Sequence, residues 1–212
     1  LRGILRSRRT RAQVARREPD QKRPAPGTIK IAVYFADSKV NLYQIRQWYA
    51  PLAEISQTWP VAIISRSPSA VLELWNESPV PALYLRRVTD LEEFVHTQDA
   101  RIVFYVNQNA KNFQMFRYGR MWHVFINHGE SDKMYMTTNQ FKAYDFSFVA
   151  GDAAIDRLSH KLWDFDLATR AIAIGRPQAD HFAGELPHTA DERTVVLYAP
   201  TWEGERVASD YG

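Results

Sequence analysis

Short apolar runs alternate with amphipathic segments from residue 29 onward, and this alternation most constrains the fold. Predicted strands cover residues 29–35, 61–65, 82–86, 101–106, 121–126, 145–150 and 170–175. Helical periodicity covers residues 41–56, 68–75, 90–96, 111–118 and 151–162, with Asn41 and Ser67 as predicted N-caps. Strands that alternate with helices indicate βαβ units. We therefore predict an α/β fold with a Rossmann-like parallel sheet that is flanked by helices.

Composition divides the chain into three parts. Residues 1–28 form a basic leader with a Pro-rich linker, and residues 29–193 contain the alternating pattern. Another apolar run, at 194–200, follows a polar connector at 176–193. Because a single parallel strand cannot bury itself, we predict that residues 194–212 begin a second, truncated Rossmann-like domain.

The excess of positive over negative charge is confined to the leader. Residues 1–26 hold nine Lys or Arg and two acidic residues, whereas the remainder holds 18 basic and 22 acidic residues. We therefore predict no nucleic-acid partner for the body. Leu1, Ile4, Leu5 and Val14 form a thin apolar stripe, which fits a helix on an anionic membrane surface. A solvated, partly disordered tail is the alternative.

Several classes of site are excluded by residue types and spacing. The absence of Cys removes disulfides, thiolate zinc sites and Cys nucleophiles. The sequence has no phosphate-binding GxxxxGK[ST] loop, no GxGxxG after a strand, no HExxH and no GxSxG. His96, His160, His181 and His188 lack metal-ligand spacing, so no zinc site is expected. His123, in the middle of a predicted strand, is interpreted as a core residue.

The segment 121–133, MWHVFINHGESDK, is the first candidate site. Its apolar strand ends at His128 and Gly129, and ligands bind at this end of the strands in open α/β sheets. His128 is a candidate general base, and Gly129 permits close approach of a ligand. Asp132 is a candidate for orienting the imidazole and Lys133 for binding a phosphate. The alternatives are a histidine that caps the strand end and a solvated helix start.

Two further turns follow predicted strands. Gly175-Arg176-Pro177-Gln178-Ala179-Asp180 is either an ordinary connector or a turn to which Asp180 and His181 add polar groups. In Ala199-Pro200-Thr201-Trp202, Thr201 can hydrogen-bond a ligand and Trp202 can stack on a base. The alternative for Trp202 is a packing anchor.

Taken together, these segments resemble one family. The order is a strand ending in His128-Gly129, then Tyr144-Asp145-Phe146, then the turn at 175–180, then Leu197-Tyr198-Ala199-Pro200-Thr201-Trp202. This order resembles the CDP-glycerol glycerophosphotransferases, the teichoic-acid polymerases and primases of bacterial cell walls. The motifs cover about residues 100–204, and the departures from the family pattern include Glu130 in place of a small Thr. A carboxylate at this position needs a cationic partner, for which Lys133 is the candidate.

The resemblance implies a fold and a reaction. The fold would be the two-domain glycosyltransferase (GT-B) type, with residues 29–193 as its N-terminal, acceptor-binding half. The reaction would transfer glycerol phosphate, or a similar polyol phosphate, from a CDP-alcohol such as CDP-glycerol to a hydroxyl of a lipid-linked polymer. His128 would be the general base, with Gly129, Asp132, Lys133, Arg176, Thr201 and Trp202 as substrate-binding residues. The family's nucleotide site lies beyond the Ala-Pro-Thr-Trp strand, so these 212 residues are expected to be inactive alone.

Location and cofactors follow from the same resemblance. The acceptor lies at the inner face of the cell membrane, so we expect a cytoplasmic protein attached peripherally through residues 1–26. No cofactor is firmly implied, and a requirement for a divalent cation stays open. A nucleotide-sugar glycosyltransferase of the same fold and a non-catalytic domain that binds a polyanionic polymer are the alternative functions.

Overall fold

Seven parallel strands form one sheet, which confirms the predicted α/β fold class. The computed structural model describes residues 2–130, 138–182 and 196. The strands are β1 (Ile31–Phe35), β2 (Val61–Ser65), β3 (Ala82–Tyr84), β4 (Ile102–Tyr105), β5 (Trp122–Phe125), β6 (Phe146–Val149) and β7 (Ala171–Ala173). Each lies within a predicted strand. The order in the sheet is β3-β2-β1-β4-β5-β6-β7, and every pairing is parallel.

Helices cover both faces of the sheet. They are α1 (Arg2–Arg17), α2 (Tyr43–Arg46), α3 (Tyr49–Ser56), α4 (Pro68–Glu77), α5 (Val88–Thr97), α6 (Asp152–Lys161) and α7 (Leu167–Arg170), with short 3-10 turns at Glu18–Asp20, Lys39–Asn41, Ala110–Gln114, Asn139–Ala143 and Pro177–Phe182. Alternate residues of β1 point to opposite faces, so Val33 belongs to the core that includes residues of α2, α3 and α4, and Tyr34 to the core that includes residues of α5 and α6. This two-faced burial explains why the central strand β1 is a continuous apolar run.

Two of the predicted helices are corrected by the structure. The predicted helix 41–56 is a 3-10 turn followed by α2 and α3, and Asn41 ends the turn instead of capping a helix. The predicted helix 111–118 is reduced to a 3-10 turn at Ala110–Gln114. There the buried Asn112 side chain donates to the carbonyl of Asn107, and this side-chain bond to the preceding loop competes with a regular helix. The predicted cap of α4 is confirmed, since Ser67 Oγ accepts from the Ala70 N–H at 3.4 Å.

The leader forms a helix that packs on the body. Val14 is buried, and the Arg17 guanidinium lies 5.6 Å from the centroid of the Trp75 ring and donates to Asn76 Oδ1 at 2.9 Å. Val14 therefore contacts protein, although the sequence placed it in a stripe available to a membrane. The exposed face of α1 includes Arg8 and Arg9.

The chain divides into two compact units, Leu1–His181 and Phe182–Gly212. The first contains the whole sheet and its helices. Of the second, the structure describes Phe182 and Val196, so the predicted domain start at 194–212 lies outside the described residues, apart from Val196. None of the helices in residues 2–130 and 138–182 combines the length and apolar character that a membrane span requires.

Candidate functional site

The strand order reverses direction between β1 and β4, and a polar cavity lies at this point. From β1 the chain builds the sheet outward through β2 and β3, and it then returns to add β4 on the other side of β1. In open α/β sheets such a reversal opens a crevice at the carboxyl ends of the strands, where ligands bind. The cavity has a volume of about 260 Å³. Its lining residues are Asp37, Tyr43, Gln44, Asn107, Gln108, Asn109, Phe125, Asn127 and His128.

His128 reaches this cavity because the chain turns sharply after β5. Asn127 has a φ of +57°, in the left-handed region that Asn tolerates better than most residues. Its side-chain oxygen accepts from the His128 N–H at 2.8 Å, and its carbonyl accepts from the Trp48 indole N–H. Contacts on both sides therefore fix the conformation that aims His128.

Hydrogen bonding defines which imidazole nitrogen of His128 carries the proton. His128 Nδ1 lies 2.7 Å from the carbonyl oxygen of Val106, and since a carbonyl only accepts, Nδ1 must be the donor. In the neutral ring Nε2 is then unprotonated. The ring packs edge-on against Tyr43, with ring centroids 5.9 Å apart.

Burial keeps this imidazole neutral near pH 7. Desolvation lowers the pKa of His128 below its ordinary value of 6.5, and the bond to the Val106 carbonyl opposes the shift only in part. A neutral imidazole with an unprotonated Nε2 is the form that accepts a proton. The arrangement therefore provides a candidate general base that lines a polar cavity.

Gly129 and Arg176 lie together in a narrow cleft beside the cavity. A Cβ placed on Gly129 would lie 3.8 Å from Arg176 Nη2, an ordinary contact distance. Gly175 has a φ of +73°, so the turn before Arg176 adopts a conformation that favours glycine. The structure thus brings together two residues that the sequence predicted to bind substrate.

Glu130 has partners that the sequence did not identify. Its Oε1 accepts from the Ala150 N–H at 2.7 Å, and its Oε2 lies 3.9 Å from Arg157 Nη1. Arg157 therefore provides the cationic partner for which the sequence suggested Lys133. Lys133, Asp132, Thr201 and Trp202, all predicted to bind substrate or orient it, lie outside the described residues.

The sequence analysis missed the other side of the cavity. Asp37 follows β1, and Asn107 and Asn109 follow β4, so each is a polar residue directly after a buried strand. That is the same signal that identified His128, and it could have identified them. Within residues 2–130 and 138–182, no group of three or more His, Cys, Asp or Glu side chains is arranged to hold a metal ion.

Comparisons with known proteins do not assign a family. No family model matches the sequence, and no curated protein matches it either. One similar structure is a crystal structure from Listeria monocytogenes, described as a UDP-N-acetylglucosamine 2-epimerase, with a TM-score of 0.48 and 14% sequence identity. The similarity covers 73% of this chain and 46% of that one, so the chain spans less than half of that protein's length.

Proposed function

We propose that this chain is the acceptor-binding half of a transferase that moves a polyol phosphate from a CDP-alcohol to a hydroxyl of a lipid-linked cell-wall polymer. The observation that carries the proposal is the unprotonated Nε2 of His128, which results from the bond from Nδ1 to the Val106 carbonyl. The motif resemblance supplies the substrate class. A two-domain glycosyltransferase arrangement, with the nucleotide bound by a second domain from residue 194 onward, belongs to the same proposal.

In the proposed reaction the acceptor hydroxyl gives its proton to His128 Nε2. The hydroxyl oxygen forms a bond to the β-phosphorus of the CDP-alcohol, and the bond from that phosphorus to the bridging oxygen breaks, so CMP leaves. Phosphoryl transfer depends on positioning and on neutralisation of charge more than on covalent catalysis. In this proposal Arg176, which lies beside Gly129, contacts the transferred phosphate. Asp132, Lys133, Thr201 and Trp202 complete the proposed substrate contacts.

The test measures CMP released from CDP-glycerol by the longest available chain that carries these residues. His128→Ala should lower the rate by about 100-fold or more, the usual contribution of a general base. His160→Ala is the matched control, because His160 is an exposed histidine on α6 with 70% of its side chain accessible. Equal rates for the His128→Ala variant and the unsubstituted protein would refute the general-base role.

The choice of donor tests the rest of the proposal. Absence of CMP release with any polyol or polymer acceptor, together with turnover of a nucleotide sugar, would favour a nucleotide-sugar glycosyltransferase instead. A non-catalytic polymer-binding domain predicts turnover of neither donor and retention of polymer binding in His128→Ala.

Attachment to an anionic membrane through residues 1–26 is part of the proposal. Because Val14 and Arg17 contact the body, the basic residues on the exposed face of α1 would carry the attraction. Each Lys or Arg near an anionic surface contributes on the order of 1 kcal/mol. Replacing Arg8 and Arg9 by Gln should therefore weaken co-sedimentation with phosphatidylglycerol vesicles by about tenfold or more.

A matched pair of substitutions controls for the loss of charge alone. Arg117 and Arg120 are exposed on the body, and replacing both by Gln removes the same charge. If this control pair weakens sedimentation as much as the leader pair does, the attachment is not specific to α1.

A further inference from the structure

The cavity beside His128 has a composition unsuited to phosphate. Its described lining residues include one carboxylate, from Asp37, and no Lys or Arg. Five carboxamide side chains line it as well, those of Gln44, Asn107, Gln108, Asn109 and Asn127. Carboxamides offer both donors and acceptors, and a carboxylate offers only acceptors. An anion placed here would face the Asp37 charge, with no cation among the described lining residues to offset it.

Neutral donors hold the Asp37 carboxylate at the end of β1. Asn109 Nδ2 donates to Asp37 Oδ2 at 3.2 Å, and Asn107 Nδ2 lies 3.5 Å from the same oxygen. The Ser38 N–H donates to Asp37 Oδ1 at 2.8 Å. Among the described residues, no Lys or Arg forms an ion pair with this carboxylate. A carboxylate has about four lone-pair sites, so these three donors leave at least one for a ligand.

The amides next to Asp37 are themselves fixed. Asn107 is buried and donates to Gln44 Oε1 at 2.6 Å, and the Asn109 side-chain oxygen accepts from the Lys111 N–H at 2.9 Å. Since these side chains are held by other groups, they present their remaining polar atoms in set directions. Rigid polar groups of this kind select a ligand by the positions of its hydroxyls.

We propose that Asp37, together with Asn107 and Asn109, forms a subsite that binds the hydroxyl groups of a neutral polyol. Asp37 accepts a hydrogen bond from one hydroxyl and thereby directs a neighbouring hydroxyl toward His128 Nε2. The phosphoryl group is assigned to the neighbouring cleft, which Gly129 and Arg176 line. Asp37 is a specificity-determining residue in this arrangement, and the inference rests on the proposed acceptor role of the cavity.

The probes are glycerol and inorganic phosphate, titrated separately into the 212-residue chain while the ring-proton NMR signals of His128 are followed. We expect saturable shifts with glycerol. Asp37→Asn should raise the glycerol dissociation constant by about tenfold, because a charge-assisted hydrogen bond becomes a neutral one. The same variant should leave phosphate binding unchanged or make it tighter, since it removes a repelling charge.

A matched control and a second variant keep the result clear. Asp156→Asn removes an equivalent charge from α6, where 74% of the side chain is exposed, and it should bind glycerol like the unsubstituted chain. Asp37→Ser is the second variant, and its hydroxyl retains a smaller acceptor for the Ser38 N–H. It is used in place of Asp37→Asn if the amide NMR spectrum shows that Asp37→Asn changes the fold.

Three outcomes would overturn the subsite. They are no saturable glycerol shift in the unsubstituted chain, an unchanged glycerol affinity in the Asp37 variant, and an equal loss in Asp156→Asn. Failure of the transfer reaction is separate: glycerol binding that depends on Asp37, without CMP release from CDP-glycerol, keeps the subsite and removes the reaction. CMP release, together with a glycerol affinity that is unchanged in the Asp37 variant, would keep the reaction and remove the subsite.

Discussion

Two histidines on the same stretch of chain show what makes one of them chemically available. His123 lies within β5 and His128 follows its end, five positions later. Burial is the largest influence on both, and it lowers the pKa of each imidazole below the ordinary value of 6.5. Both rings are therefore held neutral, so the protonation state does not distinguish them.

The two histidines differ in how their nitrogens are used. His123 Nδ1 lies 2.7 Å from the Tyr105 hydroxyl, and His123 Nε2 lies 3.2 Å from the Tyr118 carbonyl, so both nitrogens have partners. Among the residues that the structure describes, His128 has a partner on Nδ1 alone, and it lines a cavity. Burial supplies a neutral ring in both places, whereas an open nitrogen at a strand end supplies a base in only one.

The largest expected difference between the two histidines is in stability. His123→Ala removes a buried ring and leaves the Tyr105 hydroxyl and the Tyr118 carbonyl without their partner. We expect the free energy of unfolding to fall by about 3 kcal/mol, since cavity formation and unsatisfied polar groups both contribute. His128→Ala removes one hydrogen bond beside an existing cavity and should cost about 1 kcal/mol.

Urea denaturation of the two variants and the unsubstituted chain measures both values. Equal losses of unfolding free energy would contradict the division into a structural and an available histidine.

A smaller difference should be visible in the response to acid. Because both native pKa values lie below 6.5, the unfolded chain binds protons before the folded chain does as the pH falls. The contribution of these two neutral imidazoles to stability is therefore fully present above pH 6.5. It is lost as the pH falls from that value through the native pKa values. His123→Phe should remove the part of this loss of stability at low pH that comes from protonation of His123.

Catalysis should follow His128 alone. The kcat/KM for transfer should decrease on the acid side with a midpoint below pH 6.5, because protonation of Nε2 removes the base. A midpoint above 6.5, in activity or in the ring-proton shifts of His128, would contradict the assigned environment.

The central strands could be predicted from sequence because β1 and β2 are buried along their whole length, and β4 and β5 along all but one residue. Buried parallel strands read as nearly uninterrupted apolar runs, and each of the seven predicted runs between residues 29 and 175 contains a strand. The failures lie where side chains redirect the backbone, as Asn112 does in the predicted helix 111–118. The docking of α1 was also beyond a local pattern, because it depends on Val14 and Arg17 meeting α4.

The members of the candidate site could be predicted from sequence, but their meeting could not. His128 was identified from its position after a strand, and Arg176 through the family resemblance. Asp37 and Asn107 each stand two residues after a strand, β1 and β4, but a sequence does not state which strands are neighbours. Without the strand order, the meeting of these ends with His128 cannot be derived.

The reversal of strand order also has a consequence for how the protein folds. Ile31 of β1 pairs with Ile102 of β4, whereas Ile102 pairs with Trp122 and Ile31 pairs with Val61. The junction of β1 and β4 thus joins the most distant segments of any strand pair in the sheet. Contacts between such distant segments carry the largest loop-closure entropy and slow the search for the native topology. Asp37 and His128 line one cavity at this junction. The ligand pocket therefore forms only after β1 and β4 have paired, which is the slowest pairing to form in the sheet.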